Sequence, residues 1–264
     1  MPWDVCLWIV IIAFLAGIEG ILDEFQFHQP LISCSLIGLV SGYLTEGLIL
    51  GGTLQFIALG WANVGASVAP DVTLASIVSS ILMVLGLQEN IDSSFMISCS
   101  ILVAIPLSLI GLSFTKVCRN LAIRLVHQMD EAAKQANFKS IERYHICGIL
   151  MQGVRVLIPT ILMLCIPSDW IASIMNWIPV RVLEGIVIGT NMASALGFAI
   201  VIHVLSSKET WPFFAAGFVF ACIQSLTEIG LSVIGVSLML IYMAISRTEN
   251  YKKEENQVRI PLDL

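Results

Sequence analysis

The chain has 264 residues, 57% of them hydrophobic and only 12% charged, with a formal net charge of −6. Soluble domains carry roughly twice that charged fraction, so a soluble globular fold is excluded, and the acidic balance offers no surface for nucleic acid. The expected fold class is an all-α polytopic membrane protein, with room for about eight to ten spanning or re-entrant helices.

The first apolar run covers residues 3–22. No basic region precedes it and no polar domain follows, so it reads as a retained span rather than a cleaved signal. It ends in Asp23-Glu24-Phe25-Gln26-Phe27-His28. Such a stretch can be an ordinary polar loop. Two carboxylates beside two aromatic rings also suit a sugar, which offers hydroxyls to acceptors and an apolar face to a ring.

A second run at 31–50 leads into the most informative segment, EGLILGGTLQFIALGWANVGASVAPD at 46–71. Glycines, an asparagine, a proline and an aspartate interrupt a membrane-grade sequence. Lipid cannot satisfy an exposed backbone, so such a stretch survives at depth only when protein or a water-filled cavity covers it. Transporters build their substrate sites from broken segments of this kind. A re-entrant hairpin is expected at 51–71. Gln55 and Asn63 lie inside it, where a buried amide must find partners. Either can tie the hairpin together, or bind a neutral polyol, since an amide both donates and accepts. Trp61 suits stacking on a sugar or anchoring at the interface. Asp71 either N-caps the next helix or faces substrate.

Further runs follow at 72–88, 94–114, 146–166, 182–205, 211–224 and 228–245, of which 211–224 is short enough for a second re-entrant element. Between them, residues 116–143 hold six basic residues, Lys116 to Arg143, and an apolar stripe at helical spacing. This predicts an amphipathic connector that stays cytoplasmic. Four more basic residues in the tail place the C-terminal segment on the same side. Residues before 116 carry none, so the side on which the first run starts stays open.

Glu46–Gly51 is echoed by Glu184–Gly189, and each is followed by Ala-Leu-Gly. A repeat would give two pseudo-repeated halves with inverted topology, each holding a broken element. The expected organisation is 1–115 as the first membrane half, 116–145 as connector, 146–245 as the second half, and 246–264 as a polar, disordered cytoplasmic tail. Spacings such as Gly38/Gly42 and Gly185/Gly189 favour close helix packing. Buried ionisable candidates are Glu19, Asp23, Glu24, Asp71, Arg155, Glu184 and Glu228. The seven cysteines lack CxxC spacing, and the four histidines lie near no nucleophile or metal motif. No catalytic residue, metal or cofactor is expected.

ILDEFQFHQPLI, GLILGGTLQFIALGWANVGASVAPD, QGVRVLIP at 152–159 and WPFFAAGF at 211–218 closely resemble the enzyme IIC subunit of the mannose–fructose–sorbose family of the bacterial sugar phosphotransferase system. The likeness runs over about residues 10–245. It implies a multi-pass subunit of the bacterial cytoplasmic membrane that translocates a hexose or amino sugar. Its implied partners are an enzyme IID membrane subunit, in a trimer of IIC–IID heterodimers surrounded by lipid, and a soluble IIAB phosphocarrier that performs the phosphoryl transfer. The matching motif implies sugar contacts at Gly52, Thr53, Gln55, Asn63 and Asp71, with the Asp23-Glu24 pair added. Family members often carry Glu where this chain has Gln55, which leaves mannose, fructose, sorbose and N-acetylgalactosamine all open. The alternatives are a stand-alone, ion-coupled permease using Asp71 or Glu24, and a non-transporting scaffold or receptor.

Overall fold

The computed structural model describes residues 1–59, 69–177, 179–208, 210–223 and 225–258. Among them are ten helices and no strand. The chain divides into two compact units, Met1–Ile202 and His203–Leu264.

In the first unit α1 spans Trp3–Leu22, α2 Pro30–Ser41 and α3 Leu44–Leu59. The apolar run expected at 31–50 is therefore two helices. Gly42 breaks it by adopting φ +84°, which a side chain disfavours. α2 and α3 fold back on each other with almost no side chain between them. A Cβ on Gly38 would lie 3.1 Å from the Cα of Gly47, and one on Gly47 would lie 2.6 Å from the Cys34 carbonyl. Gly38 thus serves close packing, while Gly42 serves the turn instead. Of the hairpin expected at 51–71, residues 51–59 complete α3, and 60–68, with Trp61 and Asn63, lie outside the described residues.

α4, Val72–Gln88, is buried at every position from Thr73 to Gly86. A helix apolar all round belongs in a core, and α4 packs on α1, α2, α3, α5, α6 and α7. Its serines need no water: Ser79 and Ser80 donate to the Ser76 carbonyl at 3.1 and 2.8 Å, and the Ser33 and Ser76 hydroxyls meet at 3.0 Å. α2, α3 and α4 have 12, 16 and 17 residues, each shorter than the ~30 Å of hydrocarbon at about 1.5 Å per residue. This trio of short helices is the broken-helix part of the fold.

α5 runs unbroken from Ser93 to Lys134, 42 residues, or about 63 Å. The connector expected as a separate element is its second half and the first turns of α6, Phe138–Leu164. Only three residues turn the chain, with Asn137 capping α6 through Ser140 N–H. α7 (Ser168–Trp177) and α8 (Val180–Leu205) complete the unit. The echo segments fall in α3 and α8. They are used unlike each other: Gly47 and Gly51 are tightly packed, whereas Gly185 and Gly189 have no described atom within 4 Å of a Cβ.

In the second unit α9, Trp211–Ala221, packs on α10, Glu228–Val258. Phe213 meets Tyr242 edge-on at 5.4 Å. α10 continues as a helix through the charged residues assigned to a disordered tail.

Among the described residues, four helices are long and apolar enough to cross a membrane: Trp3–Leu22, Ser93–Lys134, Phe138–Leu164 and Ile229–Arg247. α1 and α6 are antiparallel. Phe14 and Gly17 pack at Gly153, and a cavity of about 540 Å³ joins Met1, Trp3 and Cys6 to Ile161, Leu164 and Cys165. By the charge rule the basic end of α5 and α6 is expected to face the cytoplasm, which would place the Trp3 end of α1 outside. A Trp3→Cys variant lacking Cys6 and Cys165 should react with a membrane-impermeant maleimide in intact cells. Labelling only after permeabilisation would reverse the orientation.

Candidate functional site

Two polar clusters hold the candidate residues. The first lies between the α1–α2 loop and the far end of α3. Asp23 ends α1 in the left-handed conformation, φ 55°, which aspartate tolerates better than most residues. Glu19 is buried, 5% exposed. Its carboxylate accepts the Glu24 and Phe25 N–H groups at 3.1 and 2.7 Å, folding the loop back over the last turn of α1. Glu19 is therefore committed to shape.

Within that loop Asp23 Oδ1 accepts from Gln26 Nε2 at 2.6 Å and lies 3.6 Å from His28 Nε2. His28 Nε2 is 3.0 Å from Gln29 Nε2, and Gln29 Oε1 accepts from Gln55 Nε2 at 2.9 Å. Gln55 Oε1 in turn accepts the Leu31 N–H at 3.4 Å. Asp23, 3.6 Å from His28 and outside hydrogen-bond reach, thus borders a relay that Gln55 makes with Gln29 and His28. Neither of these two was picked out from the sequence as a site residue. The available signal was Gln29 directly before Pro30, a helix-starting position with unpaired backbone donors.

Gly52 and Gln55 lie on the same side of α3, three residues apart. A Cβ at Gly52 would meet no described atom within 4 Å, whereas one at Gly51 would lie 2.8 Å from the Pro30 carbonyl. One glycine is needed for packing and its neighbour keeps a surface open. Thr53 donates to its own helix at the Ile49 carbonyl, 2.8 Å, and retains acceptor capacity. Glu24 is exposed in the loop, beside Phe25 and Phe27, whose rings are 6.0 Å apart. Phe56, on the next position of α3, stacks at 4.1 Å on Phe198 of α8. Asn63 lies outside the described residues.

Asp71 belongs to the second cluster. It is 8% exposed and N-caps α4, accepting from Leu74 N–H at 3.1 Å, while its own N–H donates to the Ser108 carbonyl of α5 at 2.9 Å. Oδ2 forms an ion pair with Arg155 of α6 and accepts from Thr115 at 3.4 Å; Arg155 also donates to Thr115. Gly111 makes room for it, since a Cβ there would sit 2.5 Å from Asp71 Cβ. One carboxylate thereby joins α4, α5 and α6. Charges are expensive at membrane depth unless paired; here the carboxylate is fully engaged, while the buried Arg155 Nε has no hydrogen-bond partner among the described residues. No bond among the described residues links this pair to the relay.

The architecture and sequence match known transport components. The family model described as PTS system sorbose-specific IIC component matches residues 4–241. The mannose-specific EIIC component of Escherichia coli K12 is 39% identical over 92% of this chain and 89% of the relative. The fructose permease IIC component of Bacillus subtilis 168 is 36% identical over 92% and 87%. The sorbose-specific EIIC component of Klebsiella pneumoniae is 37% identical over 90% and 87%. Among solved structures, the complex of the mannose transporter ManYZ with microcin E492 is 37% identical, with TM-score 0.58, over 95% of this chain and 98% of that one.

Proposed function

The chain belongs to the sorbose-type IIC family of the bacterial phosphotransferase system, and from that premise we propose that it holds its sugar on the relay of His28, Gln29 and Gln55, with Asp23 beside it. It is a sugar-translocating, multi-pass subunit of the inner membrane and a permease component, not a phosphoryl carrier. The observation that carries the site is the relay itself. It offers amide donors and acceptors and one carboxylate beside two aromatic rings, at the open end of a short-helix hairpin. That chemistry fits an uncharged, multiply hydroxylated ligand.

Gly52, Thr53 and Asn63 extend the surface on the α3 side, and Glu24 on the loop side. Asp71 stands behind it: its oxygens are already engaged by Leu74, Thr115 and Arg155, so its part is to place the start of α4. The same pairing argues against Asp71 as the carboxylate of an ion-coupled permease.

The likeness to the mannose transporter ManYZ supports an enzyme IID subunit as the membrane partner. A trimer of IIC–IID heterodimers embedded in lipid, served by a soluble IIAB phosphocarrier, completes the reading. The test is binding of hexoses and amino sugars to the co-purified IIC–IID complex. Gln55→Leu should lower apparent affinity tenfold or more, about 1.4 kcal/mol, with assembly intact. Vesicle uptake should require phosphoenolpyruvate and IIAB. Unchanged affinity in an assembled Gln55→Leu complex refutes the site, and uptake driven by a proton or sodium gradient alone refutes the mechanism.

A further inference from the structure

The relay has a direction, and one residue sets it. Leu31 is the second residue of α2, so its N–H has no partner within the helix. Gln55 Oε1 accepts it at 3.4 Å, which turns the Gln55 amide nitrogen toward Gln29 Oε1, 2.9 Å away. With its oxygen so placed, Gln29 faces His28 Nε2 with its nitrogen, at 3.0 Å. An amide nitrogen only donates, so His28 Nε2 accepts, and the proton of the neutral imidazole sits on Nδ1. That atom is buried and has no hydrogen-bond partner among the described residues. Asp23 Oδ1 favours the opposite tautomer. At 3.6 Å from Nε2 it is beyond hydrogen-bond reach, and it is already engaged by Gln26 at 2.6 Å.

We propose that Gln55 is a positioning residue that acts through Gln29 on His28, so that His28 presents an N–H donor, rather than a lone pair, to a sugar hydroxyl. This rests on the sugar site proposed above. A donor buried without a partner is destabilising, and a ligand oxygen removes that penalty. A carboxylate at position 55 accepts from Leu31 but cannot donate to Gln29. The Gln29 amide then turns round, its oxygen faces Nε2, the proton moves there, and Nδ1 becomes an acceptor. A Gln-to-Glu exchange, nearly isosteric, thereby inverts what the site offers a hydroxyl at His28, two side chains away.

The experiment is nitrogen-15 NMR of the IIC–IID complex carrying labelled histidine. The chain has four histidines, and the His28 signals are identified by their loss in His28→Gln. In the unmodified complex Nδ1 should be pyrrole-type and Nε2 pyridine-type, and Gln55→Glu should exchange the two. An Nε2–H tautomer in the unmodified protein, or no exchange in Gln55→Glu, overturns the proposal. Mannose, fructose, sorbose and N-acetylgalactosamine are then added in turn, and at least one should shift Nδ1. If the tautomer exchanges as stated but no sugar moves Nδ1, the relay holds and His28 as a sugar donor is overturned. If none of the four binds at all, the site proposed above fails with it.

Discussion

Asp71→Ala is expected to destabilise the protein by about 3–5 kcal/mol, the usual cost of leaving one member of a buried ion pair without its partner. Arg155 would keep its charge among α4, α5 and α6 with only Thr115 to meet it. The loss of the α4 cap adds about 1 kcal/mol. Thermal unfolding of the detergent-purified complex should show the loss, and Arg155→Ala should show a loss of similar size. The double variant Asp71→Asn/Arg155→Gln should recover most of it. Asparagine still caps a helix, and no unpaired charge remains. Recovery of stability with recovery of uptake fits a placing role for Asp71. Stability without uptake would return its carboxylate to the sugar itself.

The glycines of α2 and α3 carry the second large effect, with opposite signs at neighbouring positions. Alanine at Gly47 or Gly51 forces a methyl to within 2.6 or 2.8 Å of a backbone carbonyl, and neither helix can yield without opening the hairpin. A loss of about 1–3 kcal/mol is expected, as in other overpacked interiors. Alanine at Gly52 meets nothing described within 4 Å, and it should stabilise α3 by up to about 1 kcal/mol through helix propensity. If Gly52 faces the ligand, Gly52→Ala is the variant that melts higher and transports less. Equal behaviour of the three substitutions would mean that the hairpin is not packed as described.

Some of this could be read from the chain and some could not. α4 is expected at 72–88 and runs Val72–Gln88: Pro70-Asp71 is a start signal, and of the two roles open to Asp71 the cap is present. The division of 31–50 was missed, since Gly42 is one glycine among several in an apolar stretch and only its φ marks the turn. The end of α5 was missed for the opposite reason. A change from uniform apolarity to an amphipathic pattern suggests a new element, but the backbone meets no glycine or proline between Gly111 and Lys134. α7 is too short to announce itself. At the site, Gln55 is legible as an amide inside the broken segment and Asp23 as a carboxylate in the polar stretch that ends the first run, yet the link from Gln55 through Gln29 to His28 depends on how Glu19 folds the loop back over α1. The pairing of Asp71 with Arg155 spans 84 residues, and no single sequence encodes such a contact visibly.

The length of α1 has a consequence for transport. Its 20 residues measure about 30 Å, one hydrocarbon thickness. If the Trp3→Cys test places Trp3 at the outer boundary, Leu22 stands at the inner one, and the loop bearing Asp23, His28 and Gln29 faces the cytosol. On the sugar site proposed above, cargo resting there would have traversed the apolar slab and would lie within reach of the soluble partner proposed with it.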